Sequence, residues 1–246
     1  MLASDLLSAA DPVAFARSRL AFSPDPVQTS ILRSRHPRRL LNCSRQWGKS
    51  TTTAVLAVHH LLYGPPGGLT LIVAPTLRQS AELLRKCSAF LRRLRLHPRR
   101  ESGNPHSLLL SNGSRILALP GRADTIRCFS AVSLLILDEA ARISDDLYVS
   151  VRPMVAASGG SIVALSTPAG QRGFFYQASL DDSWERYVIP ATACSRLPDA
   201  FLDEERRSIC EWWFRQEYLC EFVPLSAGLF ERRRLERLLI RDTVAL

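Results

Sequence analysis

Short apolar runs alternate with longer segments of mixed polarity along most of the chain. These runs predict buried strands at residues 38–43, 69–74, 132–137, 161–165 and 184–189. Apolar residues at helical spacing predict helices at 52–63 and 77–96 and helical material at 203–222, preceded by short helices at 13–20 and 28–34. Strands that alternate with helices are typical of a parallel sheet, which places the chain in the α/β class.

One pair of strands breaks this alternation. Residues 107–110 and 114–119 flank the turn Ser111-Asn112-Gly113, a pattern that predicts a β-hairpin. We therefore expect a mostly parallel central sheet that carries an antiparallel hairpin at one edge.

Composition and charge narrow the classes of function. At 246 residues, with 46% hydrophobic and 22% charged positions, the chain is able to bury a core. The net charge of +9 favours a polyanionic partner, although codon bias toward arginine explains the same excess, since Lys49 and Lys86 are the only lysines. The six cysteines form no Cys-x-x-Cys pair. The sequence shows neither a secretory leader nor an apolar run of membrane-spanning length. We therefore expect a cytoplasmic protein with no membrane partner.

The first candidate chemistry lies where the strand at 38–43 leads into the helix at 52–63. Gly48-Lys49-Ser50 combines backbone amides at a helix start with an ammonium group and a hydroxyl, which suits a Mg²⁺-bound triphosphate. Lys49 would bind the β- and γ-phosphates, and Ser50 would bind the metal. Cys43 replaces the first glycine of the usual pattern, so a surface turn with a solvated lysine stays open at this point.

The strand at 132–137 ends in two carboxylates, Asp138 and Glu139. An apolar strand with this ending is the metal-side partner of a phosphate loop, with Asp138 near Mg²⁺ and Glu139 as general base for the attacking water. The alternative is that both residues cap the next helix. A third strand closes on Ser166-Thr167-Pro168, where small hydroxyls suit a sensor of the γ-phosphate and are also ordinary turn formers.

Taken in order, these motifs resemble the ATPase domain of the large terminase subunits of tailed phages. That family usually has an arginine-containing phosphate loop without the first glycine, and Ser44-Arg45-Gln46-Trp47-Gly48-Lys49-Ser50-Thr51 is similar to it. The resemblance also includes 134–140, 166–170, 173–176 and 214–218, and runs from about 24 to 230. It implies a P-loop NTPase fold of the additional-strand catalytic-glutamate type, with helices on both faces of the sheet and with ATP and Mg²⁺ as cofactors.

The resemblance also implies roles for single residues. Gln28 is similar to the glutamine that reads the adenine edge, and Arg45 to an arginine that sits against the γ-phosphate. Arg127 resembles the arginine offered to a neighbouring subunit's ATP, although a salt bridge to an acidic neighbour explains it equally well. Thr167, between Ser166 and Pro168, would transmit loss of the γ-phosphate to the parts that grip DNA.

The same resemblance divides the chain and suggests its partners. Residues 1–230 form the expected ATPase domain, with a helical preamble at 1–36, and a short basic tail at 231–246 stands where the family's nuclease domain follows. We therefore expect no nuclease activity. The implied function is translocation of double-stranded DNA into a procapsid by a homo-oligomeric ring that works with a portal protein and a small terminase subunit in the bacterial host cytoplasm.

Two other functions stay open from the sequence. A helicase-like or recombination ATPase shares the phosphate loop and the acidic strand, and a non-hydrolysing terminase remnant would act as a binding module. Three arginine-rich stretches, at 33–39, 92–100 and 232–237, are candidates for contact with the DNA backbone, and we expect one of them to make it.

Overall fold

A computed structural model describes residues 2–122, 126, 129–194 and 196–224 of the chain. The strands are β1 (Arg38–Cys43), β2 (Leu69–Ala74), β3 (Arg99–Glu101), β4 (Asn104–Leu109), β5 (Arg115–Pro120), β6 (Val132–Asp138), β7 (Ser161–Ser166) and β8 (Glu185–Ile189). The helices in these ranges are α1 (Leu2–Ala10), α2 (Pro12–Leu20), α3 (Pro26–Arg33), α4 (Lys49–Tyr63), α5 (Leu77–Arg93), α6 (Asp145–Ala156), α7 (Gly173–Leu180), α8 (Asp199–Ser208) and α9 (Glu211–Glu217). None of these helices is long and apolar enough to cross a membrane.

The strands form one sheet in the order β3-β4-β5-β2-β6-β7-β1-β8. Six strands run parallel to one another: β5, β2, β6, β7, β1 and β8. At one edge of the sheet, β4 pairs antiparallel with β5, and β3 pairs antiparallel with β4. Strand β7 separates β1 from β6, so that Asn42 lies beside Ser166 and Asp138 beside Leu165. The predicted fold class is confirmed, including the additional strand between the phosphate-loop strand and the acidic strand.

Alternate residues of each central strand face opposite sides of the sheet, and each side is covered by helices. Leu41 and Ile136 pack in a cluster with residues of α2, α3, α4 and α5. Leu40 and Leu135 pack on the other face with residues of α6 and α7. Because apolar side chains cover both faces of the central strands, these strands appear in the sequence as continuous apolar runs.

The structure refines two sequence predictions. The helical material predicted at 203–222 consists of two helices, α8 and α9, because Ile209 adopts an extended backbone between them. The hairpin is confirmed, but it continues into β3, whose residues Arg-Arg-Glu carry no apolar signal.

The segment that contains α8 and α9 packs beside the carboxyl end of β1 and β8. The backbone N–H of Ala191 donates to the carbonyl oxygen of Tyr218 at 2.7 Å, and the side chain of Asn42 donates to the carbonyl oxygen of Cys220 at 2.7 Å. These contacts bring the end of α9 next to the loop that follows β1.

Candidate active site

The loop between β1 and α4 presents an uncapped helix start. Gly48 has φ 101°, a conformation that favours glycine, and no side chain caps the first turn of α4. Gln46 has φ 65°, which turns the chain sharply before the helix. The backbone N–H of Thr51 donates to the carbonyl oxygen of Gly48, so the amides of Lys49 and Ser50 are the ones open to an anion at this helix start. Gly48-Lys49-Ser50 therefore has the backbone that a phosphate loop requires.

A cleft of about 560 Å³ opens over this loop, and we call it the phosphate-loop cleft. It is lined by Arg45, Gln46, Gly48, Lys49, Ser50, Thr51, Gln79, Lys86, Glu139, Arg142 and Arg196. The structure thus brings together most of the residues predicted at the loop with Glu139 from the end of β6. Both lysines of the chain line this one cleft, a relationship that no sequence pattern indicated.

Two predicted loop residues point elsewhere. Ser44 is fully buried and its backbone N–H donates to the carbonyl oxygen of Ile189. Trp47 is 3% exposed and packs in the hydrophobic cluster that contains the buried residues of α4. These two residues support the loop from beneath and do not line the phosphate-loop cleft.

The two carboxylates at the end of β6 have different environments. Asp138 is 7% exposed, and burial raises its pKa to about 6, with a further contribution from the neighbouring Glu139 carboxylate. Glu139 has φ 51°, a conformation rare outside glycine, and its backbone N–H donates to Asp138 Oδ1 at 3.1 Å. This turn directs the Glu139 side chain into the cleft while Asp138 stays buried beneath it.

The oxygen atoms near this turn fit a magnesium ion. Asp138 and Ser50 offer the hard oxygen ligands that Mg²⁺ prefers, and Ser50 lines the cleft. Among the residues placed by the structure, no group of three or more His, Cys, Asp or Glu side chains is able to hold a metal. Two oxygen ligands suit Mg²⁺, which keeps several waters and is commonly shared with substrate phosphates.

A chain of charged contacts crosses the floor of the cleft. Lys49 Nζ lies 3.5 Å from Glu139 Oε1, and Arg142 Nη1 donates to Glu139 Oε2 at 3.0 Å. Arg142 Nη2 also donates to Glu217 Oε1 at 3.2 Å, and Arg45 Nε donates to Glu217 Oε2 at 2.7 Å. The contacts therefore link the phosphate loop, the end of β6 and the end of α9.

Arg142 and Glu217 had no role in the predictions from sequence. Arg142 is three positions after Glu139, a spacing that brings side chains together in a helical turn and was a usable signal. Glu217 belongs to the motif at 214–218, but nothing local shows that it faces the phosphate loop. Only the packing of α9 beside β1 places it there.

The predicted coupling residues lie next to this charged chain. Ser166, Thr167 and Pro168 are all buried at the end of β7. Arg142 Nη1 approaches Thr167 Oγ1 to 3.5 Å, so the hydroxyl predicted as a sensor contacts the arginine that holds Glu139 and Glu217. The role of these three residues in coupling stays a prediction.

Gln28 is buried beside the phosphate loop. It is 1% exposed, so it is not a surface glutamine. Its Oε1 accepts from the backbone N–H of Asp25 in a capping box at the start of α3, and this contact leaves Nε2 buried without a hydrogen-bond partner. Gln28 lines a cavity of about 350 Å³ with Asp25, Trp47 and Arg196, among others, and we call it the Gln28 cavity. Arg127, predicted to act on a neighbouring subunit, lies outside the described residues.

Comparison with known proteins identifies the family of this chain. Residues 40–237 match the family model described as "Terminase large subunit, T4likevirus-type, N-terminal". The terminase large subunit of Escherichia phage T5 is 28% identical over 234 residues, which cover 89% of this chain and 52% of that protein. The chain thus spans about half the length of this curated relative.

Solved structures show the same fold. The ATPase domain of the Thermus phage P74-26 large terminase superposes with a TM-score of 0.76 at 23% identity, covering 87% of this chain and 99% of that one. The large terminase of another thermophilic bacteriophage, solved in complex with ADP, gives a TM-score of 0.62 at 11% identity, covering 89% of this chain and 53% of that one. The family model matches most of the length of this chain. The chain therefore belongs to the family of terminase large subunit N-terminal domains.

Proposed function

We propose that this chain is the ATP-hydrolysing motor part of a phage DNA-packaging terminase. The observation that carries the proposal is the position of Glu139, whose carboxylate lies 3.5 Å from Lys49 Nζ above an uncapped helix start. A phosphate-binding lysine and a carboxylate that face each other across one cleft are what hydrolysis of a triphosphate requires. The ADP complex of the thermophilic phage's large terminase supports a nucleotide as the ligand of this fold.

The residues of the cleft divide the chemistry among them. Lys49 and the first amides of α4 bind the β- and γ-phosphates, and Gln28 binds the adenine edge. Asp138 and Ser50 hold Mg²⁺, which neutralises charge on the phosphate oxygens. Glu139 orients the attacking water and accepts its proton. Gln46 and Thr51 complete the cradle, with Ser44 and Trp47 supporting it from the core.

Two arginines stabilise charge on the transferring phosphoryl group. Arg45 is 59% exposed and lies at the mouth of the loop, held by Glu217 until the γ-phosphate is present. Arg127 acts on the ATP of a neighbouring subunit. A guanidinium suits this task because its charge is fixed and its donors match phosphate oxygens.

The motor function is proposed from membership of the terminase family. Hydrolysis drives translocation of double-stranded DNA into a procapsid by a homo-oligomeric ring that contacts a portal protein and a small terminase subunit. The net charge of +9 supports contact with the DNA backbone. Ser166, Thr167 and Pro168 couple loss of the γ-phosphate to DNA grip through Arg142, which Thr167 contacts.

The test is Mg²⁺-dependent ATP hydrolysis by the purified chain over a concentration series, with and without linear double-stranded DNA. We expect turnover per subunit to rise with protein concentration and with DNA, and Lys49→Ala to abolish it. Arg17→Ala, which removes one positive charge from the exposed face of α2, is the matched control and should retain full turnover. Full turnover in Lys49→Ala would contradict the proposal.

A further inference from the structure

Arg196 lies directly over the phosphate loop. It belongs to the turn that precedes α8, and its guanidinium reaches back to Gly48. A Cβ atom placed on Gly48 would lie 2.8 Å from Arg196 Nη1 and 3.3 Å from Gln28 Nε2. The absence of a side chain at Gly48 therefore lets both nitrogen-bearing groups approach the loop backbone.

Two cavities meet at this guanidinium. Arg196 lines the phosphate-loop cleft, with Lys49 and Ser50, and it also lines the Gln28 cavity, with Asp25 and Trp47. The cleft has a volume of about 560 Å³ and the cavity about 350 Å³. Arg196 thus stands at the junction between the polar cleft over the loop and the cavity that contains the buried glutamine.

The charge of Arg196 has no counterpart in the part of the chain that the structure describes. Arg45 is paired with Glu217, and Lys49 faces Glu139, but Arg196 makes no hydrogen bond or ion pair with the described residues. The nearby Gln28 Nε2 is buried and has no acceptor either. A buried donor without an acceptor lies beside an exposed guanidinium that has no protein partner among the described residues, next to a cleft lined by further cations. This combination indicates a ligand that brings acceptor oxygens to this point.

We propose that Arg196 binds the nucleotide at its ribose and α-phosphate. The inference rests on the proposed function, because it takes the cleft as the site of the β- and γ-phosphates. If these phosphates lie over Lys49 and the base lies beside Gln28, the group that spans the junction is the ribose with its α-phosphate. A guanidinium binds such oxygens through charge-assisted hydrogen bonds, and it also closes the cavity over the base.

The test is calorimetric titration of wild type, Arg196→Ala, Arg196→Lys, Lys49→Ala and Arg17→Ala with ATP, ADP and inorganic pyrophosphate, which supplies two phosphates and no ribose. We expect Arg196→Ala to weaken ATP and ADP binding by the same factor, about tenfold, and to leave pyrophosphate binding unchanged. Arg196→Lys should give an intermediate loss, because it keeps the charge without the fork of donors. Since Arg196 is exposed, thermal unfolding should show that both of its variants fold like wild type.

Each other outcome is decisive. Wild-type affinity of Arg196→Ala for ATP and ADP, or an equal loss of pyrophosphate binding, would overturn this inference and leave the proposed function standing, provided that Lys49→Ala still loses ATP. A wild-type chain that binds no ATP would overturn both. Arg17→Ala removes the same charge away from the cleft and should match wild type with all three ligands.

Discussion

Arg45 Nε lies 2.7 Å from Glu217 Oε2, which ties the exposed phosphate loop to the buried end of α9. Glu217 is 1% exposed, whereas Arg45 is 59% exposed. A buried carboxylate needs a charged or hydrogen-bonding partner, and Glu217 obtains two, since Arg142 also donates to it at 3.2 Å. On the proposed function, a triphosphate in the cleft would compete with Glu217 for Arg45, which would link nucleotide occupancy to the position of α9.

Replacing Glu217 tests this link. We expect Glu217→Gln to lower kcat for ATP hydrolysis by at least about tenfold, because both arginines lose the anion that positions them. The KM should change less, since Lys49 and the loop amides are untouched. Steady-state kinetics would measure both constants. Glu221→Gln is the matched control, because Glu221 pairs with Arg215 at 2.6 Å outside the cleft; equal kcat for the two variants would contradict the link.

Asp138 predicts an unusual dependence of stability on pH. Its folded-state pKa is about 6 against an ordinary value of 3.8, so the folded state holds the proton more tightly than the unfolded state does. The stability that comes from protonation is complete below the unfolded pKa and is lost as pH rises through 6. Without Mg²⁺ at pH 8, the buried charge then destabilises the protein, and Asp138→Asn should raise the free energy of unfolding by about 3 kcal/mol.

Urea unfolding in EDTA at a series of pH values measures this effect. The advantage of Asp138→Asn should shrink steadily as pH falls from 8 through 6. Asp182→Asn is the control, because Asp182 is 96% exposed and should show no such trend. A difference in stability between Asp138→Asn and wild type that does not change between pH 8 and pH 5 would contradict the raised pKa.

The role proposed for Arg127 predicts complementation between inactive variants. Arg127→Ala subunits lack the donated arginine but retain Glu139, whereas Glu139→Gln subunits lack the base but retain Arg127. A mixture of the two should therefore regain part of the ATP turnover that each lacks alone, because some neighbouring pairs combine one intact group from each subunit. Mixtures without recovered turnover at any ratio would favour the alternative of a salt bridge within one subunit.

The sequence predicted the features that depend on local patterns. Runs such as Leu69–Ala74 identify buried strands by their apolarity, and the turn at Gly48-Lys49-Ser50 lies between a strand and a helix as the pattern predicted. The carboxylates at the end of β6 were identified in the same way, since they follow an apolar strand directly. The fold class follows from these features once the alternation of strands and helices is recognised.

Features that depend on distant segments were not predicted. Glu217 lies next to Arg45 only because α9 packs beside β1, and the two residues are 172 positions apart in the chain. Lys86 reaches the cleft from α5 with no motif around it, and Ile209 ends α8 without a glycine or proline to mark the break. Periodicity identifies buried faces, but it does not show which charged side chains meet across them.

The central claim is that Glu139 performs the chemistry of ATP hydrolysis, and single-turnover hydrolysis by Glu139→Gln tests it most directly. We predict that this variant binds Mg-ATP about as tightly as wild type but cleaves it at least about 100-fold more slowly, the usual range for loss of a general base. Glu82→Gln, which removes a carboxylate from an exposed pair with Arg85 at the same spacing as Glu139 and Arg142, should cleave ATP at the wild-type rate. An unchanged cleavage rate in Glu139→Gln would contradict the claim.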